Sequence, residues 1–90
     1  MTNPRSETIN FPSQKSLLAH YKKHGLATGA SSPEEYLWLA NQVFKLQTKN
    51  KPAKRGAERV YDPSSKRTII MNPNSNKILT FYVRRALLNN

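Results

Sequence analysis

Ser32-Pro33-Glu34-Glu35-Tyr36-Leu37-Trp38-Leu39-Ala40-Asn41-Gln42-Val43-Phe44 reads as the start and body of a helix. Further on, Ile78-Leu79-Thr80-Phe81-Tyr82-Val83 has the period of a strand. That switch decides the fold class. In the first stretch Ser32 is a natural capping residue and Pro33 fits the first turn. Glu34 and Glu35 face the positive end of the helix dipole. The spacing predicts a helix to about Leu46, with a buried stripe of Tyr36, Leu39, Ala40, Val43 and Phe44. Trp38 lies opposite that stripe and is expected to be at least partly exposed. There it would stack on a base, mark a protein-binding surface, or be covered by the N-terminal segment.

Working outward, Ser13 caps an earlier helix predicted to run to about His24, with Leu17, Leu18, Tyr21 and His24 on one face and Gly25 as its stop. Residues 26–31 read as a small, flexible connection, and residues 1–13, with Pro4 and Pro12, as a flexible lead-in to one domain over 14–90. Downstream, the chain from Thr48 to Gly56 turns basic and breaks. Short strands are then expected over 57–62, 68–72 and 78–84, separated by Pro63-Ser64-Ser65 and Pro73-Asn74-Ser75-Asn76. The whole reads as an α+β domain: two N-terminal helices packed on one face of a small antiparallel meander.

Composition narrows the function classes. The 90 residues make one small domain, and 15 Lys and Arg against 5 Asp and Glu give a net charge of +10. So large a charge repels itself unless a polyanion is near, which points to nucleic acid. A membrane partner is not expected, because neither short basic helix carries a long apolar face and no run reaches the roughly 18 residues of a span. There is no cysteine, hence no disulfide or thiol chemistry. Phosphate-binding glycine loops, nucleophile elbows and paired-metal carboxylate clusters are also missing from the sequence. General acid–base chemistry is the enzymology left.

The candidate groups follow. His20 and His24 stand one helical turn apart, a spacing that can hold zinc, but no third ligand is evident, so no metal or cofactor is expected. His20 reads as structural. His24 sits beside Lys22, Lys23 and Gly25, where a glycine turn would open space for a ligand. Near its ordinary pKa of ~6.5 a histidine both takes and gives a proton at neutral pH, and nearby cations push that pKa down. In the final strand, alternation puts Leu79, Phe81 and Val83 on one face and Ile78, Thr80 and Tyr82 on the other. Thr80 and Tyr82 are either ordinary strand formers on a wet face or a hydroxyl pair aimed together. Arg59 and Tyr61 share a strand face. Arg59 is either a phosphate clamp or a cation solvated or paired with Glu58 or Asp62, and Asp62 itself starts a turn. Lys49, Lys51, Lys54 and Arg55 form either a solvated loop or a grip on nucleic-acid backbone.

In this order, the Lys-His-Gly stretch, the Ser-Pro-Glu-Glu-Tyr-Leu helix start, Arg59-Val60-Tyr61-Asp62-Pro63 and Thr80-Phe81-Tyr82 resemble a family. It comprises the C-terminal toxin domains of polymorphic and contact-dependent growth inhibition effectors, colicin D-like members of the superfamily of barnase, EndoU, colicin D and RelE. The resemblance covers about residues 15–83. It implies a metal-independent ribonuclease, in many members a tRNase, delivered as part of a larger secreted effector to act in the target-cell cytoplasm. It also implies a dedicated immunity protein. Carried over by position, the catalytic histidine falls on His24, the hydroxyl pair on Thr80 and Tyr82, and an arginine on Arg59. Related toxins often carry another arginine shortly after the histidine, and residues 26–35 hold no cation. The usual glycine of the last turn is Asn76, which tolerates a left-handed conformation.

The expectation is an endoribonuclease cutting a single-stranded loop, most of all in tRNA, with His24, Arg59, Thr80 and Tyr82 at the reacting phosphate. Lys22, Lys23, Lys49, Lys51, Lys54, Arg55 and Tyr61 would bind RNA. The expected partners are RNA and an acidic immunity protein, the chain otherwise being a monomer. The alternatives are a non-catalytic basic RNA- or DNA-binding module and a phage adaptor that binds an acidic protein.

Overall fold

Each helix begins where its sequence asks it to. In a computed structural model, which describes residues 8–46 and 49–84, α1 spans Gln14–Thr28 and α2 spans Pro33–Lys45. The Ser16 N–H donates to Ser13 Oγ (3.1 Å) and the Glu35 N–H to Ser32 Oγ (3.1 Å), so both predicted caps form. Glu35 in turn accepts from the backbone N–H and the hydroxyl of Ser31, each at 2.7 Å. One turn in, the buried side of α2 is Tyr36, Ala40, Asn41, Val43 and Phe44, with Leu39 half-buried.

Gly25 does not stop α1. The helix runs on to Thr28 and turns off at Gly29, whose φ of 93° suits glycine. There the Gly29 N–H bonds the Leu26 carbonyl (3.1 Å) and the Ala30 N–H the Gly25 carbonyl (3.0 Å), the paired bonds of a Schellman ending. The Thr28 carbonyl accepts from Arg67 Nε (3.1 Å) and Nη2 (2.8 Å). Gly25 instead makes room for a ring. A Cβ there would lie 2.4 Å from the Tyr21 side chain, which folds across the helix backbone. His24 is therefore a mid-helix residue, and no glycine turn opens beside it.

The basic stretch after α2 is not a loop. Lys49–Pro52 forms β1, a short helical turn over Lys54–Gly56 reverses the chain, and Glu58–Tyr61 forms β2. With β3 (Arg67–Asn72) and β4 (Lys77–Val83) they make a four-stranded antiparallel meander in chain order. Pro52 sits on the outer strand, where its missing N–H costs no ladder bond. At the β2–β3 turn, Asp62 accepts from the Ser64 N–H (3.0 Å) and from the Ser64 (2.8 Å) and Ser65 (2.9 Å) hydroxyls, the turn-starting role read from sequence. Asn76 takes φ 57° in the β3–β4 turn.

A bulge corrects the faces of β4. Ile70 pairs with Thr80 but Met71 pairs with Ile78, which leaves Leu79 as the extra residue. Leu79 is 49% exposed, whereas Ile78 joins Phe81 in the core. Val60, Ile69, Met71, Ile78 and Phe81 pack with Leu17, Tyr36, Ala40, Val43 and Phe44 in one cluster, so the helices cover this face. The Tyr36 hydroxyl donates to the Phe81 carbonyl and ties α2 to the sheet.

The expected lead-in also changes. Residues 1–7 and 85–90 lie outside the described residues, but Ile9 and Phe11 are buried in the core. Asn10 bridges β4 in parallel at Lys77, with Ile78 N–H to Asn10 carbonyl at 2.7 Å. The amide of Asn41 serves both backbone groups of Ile9, at 2.8 and 3.1 Å. Ordering a residue costs roughly 1–2 kcal/mol. Burying two side chains of this size returns roughly 1.5–3 kcal/mol each, and the added hydrogen bonds act in the same direction.

Candidate nucleic-acid interface and acid–base site

Opposite the helices, strand alternation gathers a polar face of the sheet. One cross-strand row runs Lys51, Arg59, Ile70, Thr80, and the next Lys49, Tyr61, Thr68, Tyr82. Neighbours in such a row stand about 4.5–5.5 Å apart at Cβ. Five residues singled out in the sequence, Lys51, Arg59, Tyr61, Thr80 and Tyr82, thus share one face. Lys49 shares it by backbone register, its side chain lying outside the described residues.

Histidine 24 arrives from another element. The helix α1 packs along β4, and the His24 ring comes to 6.0 Å from that of Tyr82, centroid to centroid and tilted by 47°. It also stacks on His20 at 6.3 Å. Partial burial, then the charge of Lys23, then that of His20 hold the His24 pKa below the ordinary 6.5. At neutral pH the ring is therefore the neutral base. His20 differs: its Nδ1 bonds the Ser16 carbonyl at 2.9 Å, and its ring stacks on Phe11 at 5.2 Å.

Arg59 carries an unmet demand. Its Nε is buried and finds no hydrogen-bond partner among the described residues. Asp62, one of the two acids considered for it, has both carboxylate oxygens engaged in the β2–β3 turn. A buried donor left without a partner costs about 1–3 kcal/mol, a loss that an anion would recover only by reaching Nε itself. Lys51 is exposed in the register position beside it.

The remaining cations are less concentrated. Lys22 and Lys23 are exposed on α1, next to His24 in sequence. Lys54 and Arg55 are exposed in the β1–β2 turn, Arg55 with φ 60°. Trp38 is 58% exposed, as expected, and borders a hollow with Ser31, Ser32, Glu34 and Glu35. Among the described residues no three His, Cys, Asp or Glu side chains gather as metal ligands. No helix there is long and apolar enough to cross a membrane.

Two participants escaped the sequence reading. Thr68 lies buried between Tyr61 and Tyr82 in register, its hydroxyl on the Lys66 carbonyl at 3.2 Å. Its alternation with Ile69, which faces the core, was the available signal. Arg67 closes the end of α1, and nothing local in the sequence joins it to Thr28. Comparison with family models, curated proteins and solved structures yields no match for this chain.

Proposed function

We propose that this chain is a ribonuclease toxin domain of the barnase–EndoU–colicin–RelE kind, which cleaves a single-stranded loop, most of all in tRNA, without metal. The observation that carries the reading is His24, biased to its neutral form, ring against ring with Tyr82, a residue whose strand face also carries Arg59 with its unpaired Nε. A base, a phenol and an anion seat are what RNA transphosphorylation needs.

In this mechanism His24 takes the proton of a ribose 2′-hydroxyl, and the oxygen attacks the adjacent phosphorus. The bond from phosphorus to the 5′-oxygen breaks, leaving a 2′,3′-cyclic phosphate. Tyr82 gives its proton to the departing oxygen, which becomes a 5′-hydroxyl. Arg59 and Lys51 stabilise the charge that grows on the phosphorane, and Thr80 orients a phosphate oxygen. Tyr61 and the cations Lys22, Lys23, Lys49, Lys54 and Arg55 hold neighbouring backbone. A loop is the fitting substrate because side chains reach unstacked bases there but not in the narrow groove of A-form RNA. Such a toxin requires an inhibitor in its own cell, and a +10 chain favours an acidic immunity protein captured with electrostatic steering. Delivery within a larger effector belongs to the same reading.

The test is direct. Purified protein with excess chelator is incubated with total tRNA and the ends are analysed. Cyclic phosphate ends support the mechanism. Activity that needs added magnesium removes it, and tight binding without cleavage makes the domain a nucleic-acid-binding module.

A further inference from the structure

The proposed function leaves His20 unused, yet it is the best-anchored ring near the site. Its Nδ1 faces the Ser16 carbonyl at 2.9 Å, and a carbonyl only accepts, so Nδ1 carries the hydrogen. On one side the ring stacks on Phe11 (5.2 Å, 28°), which is buried and stacks in turn on Tyr36 at 5.9 Å. It also faces His24 (6.3 Å, 26°), one helical turn on. Four rings thus stand in series: Phe11, His20, His24, Tyr82.

His24 itself is held differently. The described residues give it ring contacts with His20 and Tyr82 but no hydrogen bond. A general base is ordinarily fixed by a third group bonded to its far side. Among the described residues, the other ring against His24 is that of His20, itself anchored by its bond to the Ser16 carbonyl. We infer that His20 is a positioning residue for His24: its ring is the wall that keeps the His24 imidazole turned toward Tyr82, and its charge is part of that imidazole's surroundings. Among the described residues, the charged or titratable groups facing His24 are Lys23 and His20 from α1 and Tyr82 from β4. This role rests on His24 being the base, and it makes the buried N-terminal segment, through Phe11, a support of the site.

Two variants separate wall from charge. His20→Phe keeps an aromatic wall and removes the charge. In it the His24 imidazole signals should titrate at higher pH, with turnover near neutral pH retained. His20→Ala removes both. It should lose the nuclear Overhauser contact between His24 and Tyr82 and lower kcat roughly tenfold at unchanged KM, within the ~10²-fold that a small misplacement can cost. An unchanged His24–Tyr82 contact in His20→Ala would overturn the inference. Should that variant not fold, loss of the His24–Tyr82 contact in His20→Phe, which keeps the aromatic wall, would do the same. Both magnetic-resonance readouts need no cleavage, so an inactive wild-type protein would remove the proposed ribonuclease activity and still show whether His20 holds the His24 ring against Tyr82.

Discussion

The His24 imidazole and the Tyr82 phenol meet at 6.0 Å, although one belongs to the first helix and the other to the last strand. Folding the chain is what brings the imidazole to the phenol. Around that contact the other groups fall into register across the sheet.

The acid side of the pH profile follows from His24. Its pKa is held below 6.5, so the neutral base persists to more acid pH than in a free imidazole. Cleavage should be level near pH 7 and decline only below pH 6.5. The same depression links to stability: the unfolded chain takes up the proton first, so stability present above pH 6.5 is lost as pH falls through the folded-state pKa. A rate profile with its acid midpoint above 6.5 would contradict the assigned environment of the ring.

Salt should report the backbone grip. If Lys49, Lys51, Lys54 and Arg55 each meet a phosphate of a single strand, log affinity falls against log salt by about 0.7 for each contact. Neutralising all four should flatten the slope by up to about 2.8 while far-UV circular dichroism stays as in the wild type. An identical slope would return these cations to plain solvation.

Two glycines test the course of α1. Gly25→Ala gains up to about 1 kcal/mol of helix propensity but drives a Cβ to 2.4 Å from the Tyr21 ring. Overpacking of that sort costs about 1–3 kcal/mol. Net destabilisation in urea melts is expected, together with release of the Tyr21 ring. Gly29→Ala should lose about 1–2 kcal/mol through its left-handed backbone. A stabilised Gly25→Ala would mean that Tyr21 does not lie where it does here.

Much of this fold was legible in the sequence for local reasons. Ser13 and Ser32 cap, Asp62 starts a turn, Asn76 accepts positive φ, and three of the four strands alternate well enough to be seen. The failures were all decided at a distance. Gly25 looked like a stop because the Tyr21 ring that requires it is visible only in the folded helix. Lys49–Pro52 looked like a loop because its strand exists through pairing with β2, not through apolar alternation. Leu79 and Ile78 exchanged faces through a bulge. For the site, strand period placed Arg59 and Tyr61 together, and Thr80 with Tyr82. The approach of His24 to Tyr82 depends on how α1 lies along β4, which no local pattern encodes.

If His24 moves the proton, single-turnover cleavage of tRNA by His24→Ala will show the loss. A lost acid–base group usually costs about 10²–10⁴ in rate. His24→Ala should lose that much while RNA affinity, measured by fluorescence anisotropy, stays close to wild type. Turnover equal to the wild type would take His24 out of the mechanism and leave this sheet face as a binding surface alone.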